Sequence, residues 1–317
     1  MSRCLTATAS TASTAAIAAI VGALSLGACR GEEPFKAPVR LGGTLVQPSV
    51  LNAGRVAYLQ YCRACHGDKG DGKGPAAPGM RPPPRDFRLG VFKFAGVLDQ
   101  KLPRDEDLVR IVRAGLHGTA MLGWDVPPAQ LDAIIQYLKT LSPKWGPAGA
   151  VGEPVTPGPD PWGQARKQGA IARGKLLYHG FAQCLGCHPA YVTRQVVYDA
   201  SKRLLGSGTT DFRDAMYQPE LKESEYGIKV LPPDFLVNEL RSIEKGTVLQ
   251  DLYRIIVAGV TGAAMPAWSP SSFPEGESDV WALAYYVRSL MELRGTAGAA
   301  ELRRGLAGQP AFVASPE

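Results

Sequence analysis

Cys62-Arg63-Ala64-Cys65-His66 and Cys184-Leu185-Gly186-Cys187-His188 are two copies of one pentapeptide, C-x-x-C-H, in a chain of 317 residues. Two thiols this close can be alkylated by the two vinyl groups of a single haem. The histidine that follows is then held beneath the iron as its proximal ligand. Of the six cysteines, Cys4 and Cys29 lie in the N-terminal stretch and the other four all belong to the pentapeptides. No pair remains for a structural disulfide, so oxidative stapling is not what holds this fold together. The competing use of two C-x-x-C knuckles is a single four-cysteine zinc site. Zinc has no need of a histidine directly after each knuckle.

The sequence around each pentapeptide repeats as well. Asp107, Leu108, Arg110, Ile111, Ala114, Gly115, Gly118, Ala120, Met121 and Trp124 recur without a gap as Asp251, Leu252, Arg254, Ile255, Ala258, Gly259, Gly262, Ala264, Met265 and Trp268. Pro84-Arg85-Asp86-Phe87 is echoed by Pro233-Asp234-Phe235, and the run from Leu131 to Leu141 by that from Val280 to Leu290. A period this long repeats a whole domain rather than a solenoid unit. Each copy is long enough for a compact core around one haem. The copies occupy residues 50–145 and 166–293. The second is longer between its histidine and its methionine, 77 residues against 55, through an insertion at about 190–230.

Both copies predict the same helical order. A short helix runs into the pentapeptide, over 53–61 and 172–181, and a Gly/Pro-rich loop follows. A second helix has apolar residues at helical spacing: Leu108, Ile111 and Val112 in the first copy, Leu252, Ile255 and Ile256 in the second. A Gly-rich turn then presents a methionine, and an amphipathic helix closes the copy, with Pro127-Pro128 at its start in the first. Residues 146–165 hold too many Pro and Gly for helix or strand, which predicts a semi-extended linker that lets the domains move. Residues 29–49 read as a flexible tether and 294–317 as a flexible tail.

A haem iron that only carries electrons needs a second strong axial ligand, and a methionine thioether opposite histidine raises its potential. Met121 and Met265 are the candidates, because they occupy equivalent positions beside glycines, where backbone can approach the haem. Met80, Met216 and Met291 have no counterpart in the other copy and read as core filling. His117 and His179 are likewise unrepeated, which favours ordinary surface or loop roles over iron ligation.

The first 28 residues read as an export signal: Arg3, then a weakly apolar stretch that is too short and too polar to span a membrane. Leu26-Gly27-Ala28-Cys29 resembles the lipobox of bacterial lipoproteins, in which the signal is cut before the cysteine and the cysteine is lipidated. That resemblance implies lipidation of Cys29 and a chain held at the periplasmic side of a bacterial membrane; more than one acyl chain gives stable anchoring.

Both copies resemble class I cytochrome c domains, small all-helical folds with C-x-x-C-H near the start and a methionine loop before the last helix. The resemblance covers roughly residues 51–141 and 170–290. It implies an all-α fold of two tandem domains and two covalently bound haem c groups. One would sit on Cys62 and Cys65 with His66 and Met121 as axial ligands, the other on Cys184 and Cys187 with His188 and Met265. In that family a glycine and an aromatic on the first helix meet an aromatic on the last. Gly54 and Tyr58 would then face Tyr137, and Gly174 and Tyr178 would face Tyr286. The second copy departs by two extra residues between that glycine and its cysteine.

Lys and Arg number 14 against 9 Asp and Glu over residues 50–145, but 14 against 14 over 166–293. Lys69, Lys73, Arg81, Arg85, Arg88 and Lys93 make the first copy mildly basic, which suits an acidic redox partner. The expectation is a membrane-tethered dihaem carrier of single electrons, not an enzyme. Its donor would be a quinol-oxidising complex or dehydrogenase, its acceptor a terminal oxidase or reductase, with no nucleic-acid partner. The alternative is an enzyme resembling dihaem cytochrome c peroxidases, which needs one iron with an open position.

Overall fold

The apolar stripes of the helices gather into two hydrophobic cores. The computed structural model describes residues 34–309 and residue 312, so the signal segment and the lipidation candidate Cys29 lie outside the described residues. The fold is helical, as expected. Among the described residues its only strands are β1 (Val39–Leu41) and β2 (Thr44–Val46), an antiparallel hairpin. Helices α1 (Pro48–Tyr61), α2 (Arg63–His66), α3 (Asp105–Ala114) and α4 (Pro128–Lys139) surround the first core. Around the second lie α5 (Lys167–Leu176), α6 (Arg194–Leu205), α7 (Val248–Ala258), α8 (Glu277–Leu293) and α9 (Ala297–Ala307).

Each core is built on one helix crossing. A Cβ at Gly54 would collide with the Ala133 carbonyl on α4, and one at Gly174 with the Ala282 carbonyl on α8. Only glycine lets the backbones come so close. Directly below, Tyr58 packs on Tyr137 with ring centroids 5.2 Å apart, and Tyr178 on Tyr286 at 5.5 Å. The two extra residues of the second copy are absorbed where α5 widens into a π-helical turn, Leu177–Phe181, and Gln183 adopts a left-handed conformation at φ 44°. A π turn lengthens the chain without moving Gly174 off the crossing.

Three segments expected to be loose are packed. The tether region carries the β-hairpin, whose Leu41 and Val46 enter the first core and whose Gly42 N–H donates to the Trp145 carbonyl at 2.7 Å. The tail holds α9, capped by the Thr296 hydroxyl, with Ala299 buried in the second core, Leu302 packed against it and Leu306 buried as well. The linker is laid along residues 96–102: Leu98 and Leu102 N–H donate to the Glu153 and Ala150 carbonyls, and Val155 N–H donates to Gly96 at 2.8 Å. Val151 packs on the first core and Val155 is buried in the second, so the stretch is anchored despite its Pro and Gly content. Composition forbids a regular element here, but it does not forbid single strand-like bonds to a neighbour.

Candidate functional site

Helix α1 ends at Tyr61, and the first pentapeptide folds back on itself: the Cys65 and His66 N–H groups donate to the Cys62 carbonyl at 3.2 and 2.9 Å. In the second copy the Cys187 and His188 N–H groups donate to the Cys184 carbonyl at 3.1 and 2.9 Å. Both thiols and the imidazole of each motif are thereby held on one short turn. The tyrosine at each helix crossing locks the following residues, Tyr58 Oη donating to the Gly67 carbonyl and Tyr178 Oη to the Pro189 carbonyl.

Each histidine has one nitrogen committed. His66 Nδ1 lies 3.0 Å from the Arg85 carbonyl and His188 Nδ1 lies 2.9 Å from the Pro233 carbonyl. A carbonyl only accepts, so Nδ1 carries the proton and the Nε2 lone pair is left for a metal. A phenylalanine two residues past that carbonyl then shelves each ring. Phe87 stacks on His66 with centroids 4.4 Å apart, and Phe235 on His188 at 4.9 Å, both tilted by 20°. Burial holds both imidazoles below the ordinary histidine pKa, which keeps them neutral and able to ligate. Burial also pushes the Cys62 and Cys184 thiols up to about 12 in the free chain. The shelf and the carbonyl come from the Pro-Arg-Asp-Phe echo, whose repetition was visible in the sequence although its purpose was not.

The methionine loops are also duplicates. Each opens on a glycine with positive φ, Gly115 at 71° and Gly259 at 70°, where a Cβ would press on the returning backbone. Leu116 and Val260 N–H donate to the Met121 and Met265 carbonyls, and Trp124 and Trp268 N–H to Val112 and Ile256. Aromatics carry each loop to its motif. Trp124 meets Tyr61, the residue before Cys62, at 6.3 Å; Trp268 and Phe181 both pack on Phe273 at 5.6 Å.

The two motifs do not converge. Cys62 packs against the first core and Cys184 against the second, and among the described residues no three His, Cys, Asp or Glu side chains form a metal-holding group. This geometry rules out the single four-cysteine zinc site. The donor set at each motif, two thiols on one turn and an imidazole with a free Nε2, fits a covalently bound haem.

The remaining candidates fall elsewhere. His117 is exposed in the Met121 loop. His179 is fully buried rather than on a surface: its Nδ1 donates to the Lys175 carbonyl at 2.7 Å and its Nε2 accepts from Tyr191 N–H at 3.2 Å. With both nitrogens engaged it cannot ligate, and burial brings its pKa down to about 3. Met216 is fully buried and Met291 packs on the second core, as expected of core filling. Arg85 and Lys93, expected on a basic surface, are instead half-buried between the copies, beside Tyr226 of the insertion.

Known proteins agree with this geometry. Residues 49–138 match the family model described as cytochrome C oxidase, cbb3-type, subunit III. Among solved structures, a chain of the Kuenenia stuttgartiensis reducing HAO-like protein complex is similar, with 26% identity and a TM-score of 0.59 over 75% of this chain and 95% of that one. No curated protein matches. Residues 49–138 are thus similar to a family of c-type cytochrome domains, and that stretch takes in the first pentapeptide and Met121.

Proposed function

We propose that the chain is a membrane-tethered dihaem c-type cytochrome that relays single electrons outside the cytoplasm. Haem supplies the Fe(II)/Fe(III) couple; the protein supplies ligands, a dry setting and a docking surface. Cys62, Cys65 and His66 with Met121 serve one haem, and Cys184, Cys187 and His188 with Met265 the other. The observation that carries this reading is the identity of hydrogen bonding at the two sites. Each has an Nδ1–carbonyl bond on a phenylalanine shelf and a methionine loop with the same bonds at equivalent residues. Two sites with histidine and methionine suit transfer of electrons rather than bond-making, which needs an open iron position. Redox-protein partners follow from that role. A quinol-oxidising complex or dehydrogenase as donor and a terminal oxidase or reductase as acceptor fit an exported carrier.

The tether rests on the lipobox at Cys29; among the described residues no helix is long and apolar enough to cross a membrane. Haem content with electronic and EPR spectra of the oxidised protein test the core of the proposal. The expected result is two haems per chain and two low-spin signals, one lost in Met121→Ala and the other in Met265→Ala. High-spin iron in the wild type together with peroxide turnover would overturn it. Separately, Cys29→Ser is expected to move the protein from the membrane to the soluble fraction.

A further inference from the structure

One planar peptide group stands against the histidine of the second motif, and it is pinned at both ends. Its carbonyl, that of Pro233, accepts from His188 Nδ1 at 2.9 Å, and its N–H, that of Asp234, donates to Asn238 Oδ1 at 2.8 Å. A peptide unit is rigid, so the carbonyl cannot swing off the imidazole without breaking the bond at the other end. The next residues are held as closely. The buried Asp234 carboxylate accepts from Leu236 N–H at 3.0 Å and from Tyr191 Oη at 3.2 Å, and the same hydroxyl accepts from Phe235 N–H at 2.9 Å. Burial first, then the charge of Asp234, keep the Tyr191 hydroxyl protonated and able to serve both. Tyr191 thereby holds the residue after the carbonyl and the phenylalanine that shelves the imidazole.

The tail of the chain fastens this segment from outside. Arg303 of α9 pairs with Asp234, and Arg294 Nη1 donates to the Asn238 carbonyl at 3.3 Å. Ala299 of the same helix is buried in the second core, and further along Phe312 packs on Phe212 of the insertion at 5.1 Å. The first copy is built otherwise at the matching positions. Lys69 stands where Tyr191 does and Gly90 where Asn238 does. Asp86 is taken by Arg88, two residues away, and Phe87 N–H turns to the Gly70 carbonyl at 2.7 Å. We propose that Tyr191, Asp234 and Asn238 are positioning residues for His188, fastened by the tail through Arg294 and Arg303, and that they set how strongly this imidazole donates to the iron of the second haem. A firmly held carbonyl draws on the Nδ1 proton and makes the ring a stronger donor. The proposal rests on the reading that each motif carries a haem.

The test is hydrogen exchange at Nδ1 of the axial histidines, read by NMR of the reduced holoprotein with isotope-labelled histidine. The His188 signal is the one moved by Met265→Ala. Asn238→Ala and Tyr191→Phe change no charge, and each removes part of the brace. Each is expected to speed His188 exchange by about three- to ten-fold, the weight of one hydrogen bond, and to leave His66 within about two-fold. Arg303→Gln, at a half-exposed ion pair, is expected to give about two- to three-fold, and Arg303→Lys to restore the wild-type rate. Weaker donation favours Fe(II). In a spectroelectrochemical titration, Asn238→Ala and Tyr191→Phe are therefore expected to raise the reduced-to-oxidised ratio of the second haem at fixed potential by about two-fold or more. Arg88→Gln, which breaks the surface pair of the first copy, is the control and is expected to leave both haems within about two-fold. If Tyr191→Phe fails to fold, the exposed Asn238 carries the test. Two intact low-spin haems with His188 exchange and the second-haem ratio unchanged would overturn the brace and leave the carrier reading standing. Equal acceleration at His66 and His188 would also overturn it, as a general loosening of the chain. A single haem in the wild type would overturn both readings.

Discussion

The two copies agree in the surroundings of their pentapeptides and differ in what holds those surroundings together. Shared are the glycine crossing, the tyrosine pair, the histidine–carbonyl bond, the phenylalanine shelf and the bonds of the methionine loop. The supports diverge. Beside the crossing of the second copy, Arg173 grips the fully buried Asp279 through two bonds of 2.7 and 2.8 Å, whereas Gln130 stands at the equivalent place in α4. The fully buried His179 stands at the place of Leu59, which is half-buried against the first core. The first copy instead ties α3 to α4 through the buried Lys139, paired with Asp105 at 2.5 Å. The geometry around the pentapeptides is kept, while the scaffold that maintains it differs.

The largest effect expected from breaking this comparison comes at Asp279. Asp279→Ala leaves the Arg173 cation without its buried partner and is expected to cost about 3–5 kcal/mol in denaturant unfolding. Gln130→Ala, at the matching but exposed place, is expected to change stability by less than about 0.5 kcal/mol. Next come Gly54→Ala and Gly174→Ala, each expected to cost about 3 kcal/mol or more, because the new Cβ meets a carbonyl rather than a movable side chain. Similar losses at the two sites would confirm that the crossings are equivalent, and a loss at only one would break the analogy.

His179 separates the copies by pH. Its folded pKa, about 3, lies below the ordinary 6.5, so between those values the unfolded chain binds a proton that the folded chain does not. Stability is therefore expected to fall as pH drops from about 6.5 toward 3, with a slope of about 1.4 kcal/mol per pH unit from this group alone. His179→Leu, which imitates Leu59, is expected to flatten that slope. It also orphans the Tyr191 N–H, at a cost of about 1–3 kcal/mol near neutrality. An unchanged acid slope would remove the assignment. The smallest effect is expected from the loop tryptophans. Trp124 is 46% exposed, so Trp124→Ala should cost less stability in thermal unfolding than Trp268→Ala, which strips a ring packed on Phe273.

Much of this could be read from residue spacing. The pentapeptides, the paired methionines and the glycine–tyrosine pairs lie at fixed offsets that local geometry enforces. The echo of Pro-Arg-Asp-Phe was legible too, but its role depends on a carbonyl meeting an imidazole 19 residues away, which no local pattern encodes. His179 misled because an unrepeated polar residue suggests a surface, and only the path of the insertion shows that it is enclosed. Arg85 and Lys93 misled for the same reason: they become interior only once Tyr226 arrives from the other copy. Linker and tail went wrong because composition reports what a segment cannot form by itself and is silent on what a neighbour will bind.

The anchored linker also bears on where the chain can be divided. A cut at residue 145, where composition suggests the first copy ends, would strip partners from the Leu98 and Leu102 N–H groups and uncover the face on which Val151 packs. The unit that keeps these bonds ends past Val155, whose own side chain is buried in the second core, and begins at the hairpin. A fragment for separate expression, or a split for fusing the first copy to another protein, should therefore carry residues 35–156.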